Sequence, residues 1–81
     1  MRYFAGLDVA MTSSALCIVD ETGTIVLETS VETTPEAIAE ILTPYRKSLA
    51  KLGHETGSLA PWLHKELAAL GWPIVCLEAA H

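Results

Sequence analysis

The chain has 81 residues, 51% of them hydrophobic, and a formal net charge of −5. That length allows one domain, burying about two-thirds of the surface its unfolded chain exposes, and the hydrophobic content excludes disorder as the main state. The acidic balance argues against a self-sufficient nucleic-acid binder, since displacing counterions from phosphates takes a basic patch.

No stretch approaches the roughly 20 apolar residues of a membrane span. Asp8 interrupts the first apolar run before a signal-peptide core can form. Cys17 and Cys76 lie in apolar runs without CxxC or metal-ligand spacing, which reads as two buried, reduced thiols rather than a disulfide. The expected compartment is the cytosol, with no membrane partner.

Residues 3–9 and 15–19 suit short strands, being rich in Val, Ile, Leu and aromatics. Between them, residues 10–14 read as a turn that includes Ser13 and Ser14. Asp20-Glu21-Thr22-Gly23-Thr24 is a second turn, with glycine at a left-handed position. In a third strand over 24–32, Ile25, Leu27, Thr29 and Val31 share one face while Glu28 and Glu32 turn outward, as at a sheet edge. These three strands make an antiparallel meander.

Thr34 with Pro35, or Thr33 paired with Glu36, starts a helix whose apolar positions are Ile38, Ile41, Leu42 and Tyr45. Pro44 ends or bends it. A fourth strand follows over 49–55, although Lys51, Gly53 and His54 dilute its pattern. Ser58 caps a second helix with a buried stripe of Leu59, Leu63, Leu67 and Leu70, Trp62 beside it and Gly71 closing it. Pro73 opens a last run over 74–78 whose unbroken hydrophobicity fits an interior strand covered on both faces.

The order predicts an α/β fold: a mixed sheet with two right-handed crossovers, in which the first, fourth and fifth strands are parallel. A sheet of this kind takes a further helix over its second face, so the chain reads as a truncated domain.

Asp8 stands alone among apolar neighbours. A carboxylate there caps the following turn or meets a cation, because a buried charge needs compensation. Glu55 repeats the situation at the end of the fourth strand, which lies about 4.8 Å from the first. The C-terminal ends of parallel strands are where open α/β sheets place ligands. Two carboxylates this close repel, and a divalent cation such as Mg²⁺ removes the conflict while activating or stabilising an oxygen in phosphoryl transfer.

The strand order and Asp8 resemble the ribonuclease H-like superfamily, in its Holliday-junction-resolvase branch. Within it, FAGLDVAMTSSALCIVDETG, HETGSLAPWLHKELAALG and WPIVCLEAAH resemble the N-terminal part of DEDD-type bacterial insertion-sequence transposases, whose relatives include DNA invertases. The likeness runs along nearly all of the chain, and Glu-Thr-Gly before a Trp-Leu helix is its most specific part. It implies that Asp8 and Glu55 are catalytic, as the first two of four acidic Mg²⁺ ligands. The other two acids and a serine nucleophile belong to downstream segments of the longer protein.

The same resemblance implies DNA as the partner of the full-length protein, a guide RNA for some members, and a homo-oligomer. It implies an inactive isolated segment that binds Mg²⁺ weakly or not at all. Where members carry a basic residue before the final His of this segment, the chain has Ala80.

Other residues read as structural. Ser13 and Ser14 lack a neighbouring His, so turn hydrogen bonding is preferred to a nucleophile's role. His54 faces away from Glu55 and serves packing or the surface; His64 falls on the polar side of the second helix, and neither it nor His81 has ligand spacing. Trp62 and Trp72 are packing residues or part of a docking surface. Residues 56–58 cap the second helix or hold an anion at its N-terminus. Two alternatives stay open beside the recombinase. One is the phosphate-binding lobe of a sugar-kinase or actin-like ATPase, against which Val9-Ala10-Met11-Thr12 offers no glycine. The other is a non-catalytic folding or dimerisation module.

Overall fold

Alternating apolar side chains decide which face of each strand turns inward, and five strands use that rule in a computed structural model that describes residues 1–55, 57 and 59–77. β1 (Tyr3–Asp8), β2 (Ser13–Asp20) and β3 (Ile25–Glu32) form the antiparallel meander. Helix α1 (Pro35–Leu42) and a 3-10 turn (Thr43–Tyr45) lead to β4 (Leu49–Glu55), and α2 (Ala60–Ala69) leads to β5 (Ile74–Leu77). The sheet order is β3-β2-β1-β4-β5, with β1, β4 and β5 parallel. Ile38 and Leu42 of α1 and Leu63 and Leu67 of α2 join Ala5, Leu7, Leu16, Ile18 and Leu52 in one buried cluster, so both helices lie on one face of the sheet. The mixed α/β sheet is the one expected.

Two irregularities set the phase of the strands. Tyr3 pairs with Leu49 but Phe4 with Lys51, leaving Ala50 as an extra residue in β4. Leu49 and Leu52 are both buried, which strict alternation would forbid at that spacing; the bulge permits it. A second shift pairs Ile18 with Leu27 and Val19 with Ile25. It takes Ile25 off the inward face assigned to it with Leu27, Thr29 and Val31, and Ile25 is 56% exposed.

The loop after β1 is tied down by hydroxyls. The Thr33 hydroxyl donates to the Ala10 carbonyl (2.7 Å), so the Ser14 hydroxyl donates to Thr33 Oγ1 (2.7 Å). The Ala10 N–H approaches Ser14 Oγ at 3.4 Å. Ser13 and Ser14 thus belong to β2 and not to the turn, and Ser14 is buried, because its inward position meets a partner hydroxyl. With Thr33 so engaged, Thr34 caps α1: its side chain accepts from the Ala37 N–H at 3.1 Å, with Pro35 in the first turn.

At the β2–β3 turn, Asp20 Oδ1 accepts from the Thr22 hydroxyl (2.6 Å) and from the N–H groups of Thr22 (2.9 Å) and Thr24 (3.1 Å), while Gly23 takes φ +88°. The Thr22 hydroxyl, followed by the backbone donors, holds the Asp20 carboxyl below its ordinary pKa. A lowered folded-state pKa stabilises the fold above the unfolded pKa, and that contribution is lost as pH falls through the folded one. The Tm difference between wild type and Asp20→Asn is therefore largest at neutral pH and shrinks below about pH 4. A difference that stays constant in acid would contradict this account.

Helix α2 starts later than expected. Its N-cap is Leu59, which makes no side-chain capping bond; Ser58, the expected cap, lies outside the described residues, as does Thr56. The buried stripe is Ala60, Leu63 and Leu67, whereas Leu70 is 46% exposed because the helix ends at Ala69 and Leu70 is its C-cap. Trp62 also faces outward. Gly71 at φ +89° closes the helix as expected, with its N–H bonded to the Ala68 carbonyl and that of Trp72 to Leu67. Trp72 is buried under the Arg46 guanidinium, 4.3 Å from its ring, and Arg46 also donates to the Leu70 carbonyl.

β5 is an edge strand and not an interior one among the described residues, paired only with β4. Its hydrophobic run leaves Leu77 50% exposed. Cys76 is exposed and Cys17 half-buried, so the thiols are free as expected but not both buried.

Candidate metal centre at the strand ends

Gly6 pairs with Gly53 and Leu7 with His54, so Asp8 and Glu55 come next on adjacent parallel strands, each as the last residue of its strand. Ala5 and Leu7 are buried while Gly6 and Asp8 are exposed; Leu52 and His54 are buried while Glu55 is exposed. Both carboxylates therefore leave the sheet on the face opposite the helices. They line one cleft of about 470 Å³, together with Gly6, Gly53, Ala15, Cys17, Glu28 and Leu77 among others. A second hollow, of about 260 Å³, runs over the strand ends and again has Asp8 and Glu55 in its wall. The floor is low because two of its residues are glycines. A Cβ on Gly53 would lie 2.9 Å from Leu77 Cδ1.

The donors fit a hard cation. Two carboxylates at neighbouring strand ends supply oxygen only, and Mg²⁺ takes one or two carboxylates while keeping several waters. Among the described residues no group of three or more His, Cys, Asp or Glu is placed to hold a metal ion. Glu28, read from sequence as an outward edge charge, stands on the same cleft. It sits on β3, two strand spacings (about 10 Å) from β1, where the register sets it opposite Cys17 and Gly6 and not opposite Asp8.

No protein-family model matches the chain, and no curated protein matches it. Solved structures do. RuvC from T. thermophilus in complex with a Holliday junction substrate superimposes with a TM-score of 0.69 at 14% identity, over 96% of this chain and 65% of that one. The fold is ribonuclease H-like. A second Thermus thermophilus RuvC structure gives 0.62 at 17% identity, over 94% of this chain and 61% of that one. YeaZ from Pseudomonas aeruginosa gives 0.57 at 11%, over 96% of this chain and 44% of that one. The chain thus spans under two-thirds of the RuvC chains it matches, and at these identities the likeness is one of fold.

On this ribonuclease H-like sheet the histidines form a second constellation behind the carboxylates. His54 is buried on the helix side, facing away from the Glu55 side chain as expected. His64 is not on a polar face. Its Nδ1 lies 2.8 Å from His54 Nε2, the two rings meeting edge-on at 70°. His54 Nδ1 in turn lies 3.0 Å from the Glu55 carbonyl oxygen. His64 is one residue past Leu63 of the true stripe, and that adjacency was the available signal once the stripe is phased on Ala60. His81 lies outside the described residues.

Proposed function

We propose that this chain is the first part of the catalytic domain of a metal-dependent DNA-cleaving enzyme of the DEDD transposase type, with Asp8 and Glu55 holding Mg²⁺. The observation that carries the reading is the pair itself: two exposed carboxylates, from the ends of adjacent parallel strands, opening into one cleft. The fold likeness to RuvC with a Holliday junction supports DNA as the substrate class. The net charge of −5 agrees with a segment that carries ligands for the ion while other segments supply the cationic contacts to DNA.

In this reading, Asp8 and Glu55 orient the ion, and the two glycines keep the cleft floor low enough for a phosphodiester backbone to approach it. When bound, the ion stabilises negative charge on the attacking and leaving oxygens. The buried layer under β1 and β4 holds the two strand ends in register, so the carboxylates need no rearrangement at the moment of reaction.

The kinase-lobe alternative has less support. Residues 9–12 contain no glycine, the residue that lets such a loop bring its backbone close to a phosphate. In the longer protein, Asp8→Ala and Glu55→Ala each reduce Mg²⁺-dependent DNA strand cleavage to background while circular dichroism stays native. Cleavage retained by either variant refutes the assignment, and stabilisation of the chain by ATP would favour the kinase lobe.

A further inference from the structure

We infer that His64 is a positioning residue for Glu55, acting through the ring of His54; the inference rests on the metal reading above. A carbonyl oxygen can only accept, so His54 Nδ1 carries the proton directed at Glu55 O. In the neutral ring Nε2 is then an acceptor, and His64 Nδ1 donates to it. Both tautomers follow from that one carbonyl. The result is a directed chain from α2 to the backbone of the ligand residue: His64 Nδ1–H to His54 Nε2, and His54 Nδ1–H to Glu55 O.

The position of this chain gives it a purpose. Pairing with β1 ends at Leu7–His54, so the Glu55 peptide lies beyond the ladder that fixes the rest of β4. Leu77 of β5 pairs with Glu55 on the other side, but β5 is the edge strand and Leu77 is half-exposed. The imidazole relay ties that peptide to α2, which is anchored by Leu63 and Leu67 in the core. A carboxylate at a strand end thereby gains a fixed origin, the kind of outer support on which metal affinity depends. His54 alone would leave its own Nε2 buried and unpartnered; His64 supplies the partner.

The test uses the 81-residue chain with excess Mn²⁺ as the probe ion, read by paramagnetic broadening of backbone amides, which registers the weak binding expected of two ligands, and ring ¹⁵N shifts of the two histidines. Wild type shows a proton on His54 Nδ1 and none on Nε2. His64→Phe keeps a ring and removes the donor; it weakens Mn²⁺ binding about tenfold, whereas His64→Asn, whose amide N–H replaces Nδ1–H, stays within about twofold of wild type. Asp8→Asn separates the two levels of the argument. If it leaves Mn²⁺ broadening intact, the metal reading fails. If it abolishes broadening while folded His64→Phe binds as wild type does, the positioning role is overturned and the metal reading stands. Should His64→Phe not fold, a proton found on His54 Nε2 in the wild type still overturns the relay.

Discussion

Asp8→Asn is expected to leave the metal-free chain as stable as wild type or more stable, while removing the weak affinity for Mg²⁺ that two of four ligands supply. The Asp20 carboxylate accepts three hydrogen bonds, but that of Asp8 accepts none among the described residues. It stands exposed beside Glu55 at the end of the neighbouring strand, and like charges on adjacent strands destabilise by up to about 1 kcal/mol. For a domain of this size the relief corresponds to a Tm rise of up to about 5 °C. Residues retained for function at a cost to the fold behave this way. Thermal unfolding in EDTA and a Mg²⁺ titration check both halves. A loss of more than about 1 kcal/mol in the metal-free variant would instead identify Asp8 as a structural cap of the following loop.

The largest stability effect is expected at Leu52. It is fully buried in β4, between Ala5 of β1 and Ile74 of β5, and belongs to the cluster that joins both helices to the sheet. Leu52→Ala removes about 3 kcal/mol, combining lost transfer free energy with the cavity left behind. Out of a total of about 5–10 kcal/mol for a small domain, that is enough to shift the urea midpoint well toward zero. Leu70→Ala is the control. Its side chain is half-exposed at the end of α2, so the change stays within about 0.5 kcal/mol. Equal losses in the two variants would mean that the stripe of α2 is phased on Leu70 after all.

Much of this fold was legible from local signals that act through neighbouring residues. Thr34-Pro35 starts α1, Gly71 closes α2, and β4 occupies residues 49–55 as the pattern indicated. Asp8 stands out because charge inside an apolar run is conspicuous in one dimension, and the pairing of β1 with β4 brings Glu55 to the neighbouring strand end. What the chain concealed depends on pairing. The bulge near Leu27 removes Ile25 from its apparent face only because Val19 takes Ile25 and not Val26 as partner. An unbroken hydrophobic run suits a strand with two covered faces, yet β5 lies at the edge, because hydropathy reports faces and is silent about flanks. The leucines of α2 fit two phases, and choosing 59/63/67/70 over 60/63/67 hid the contact between His64 and His54. Glu28 likewise became part of the cleft wall only when β3 found its place beside β2.

The extra residue at Ala50 divides β4 into two stretches with different tolerance to change in length. Upstream of Lys51, the looped-out position works as slack: deleting it would restore plain alternation and leave every later side chain on its present side. Downstream there is none. One residue added between Leu52 and His54 would turn the acid toward the oily interior and swing the imidazole of His54 out among the solvent. Drift in the crossover from α1 can therefore accumulate without reaching the negative pair, whereas the four positions that follow are bound to their count.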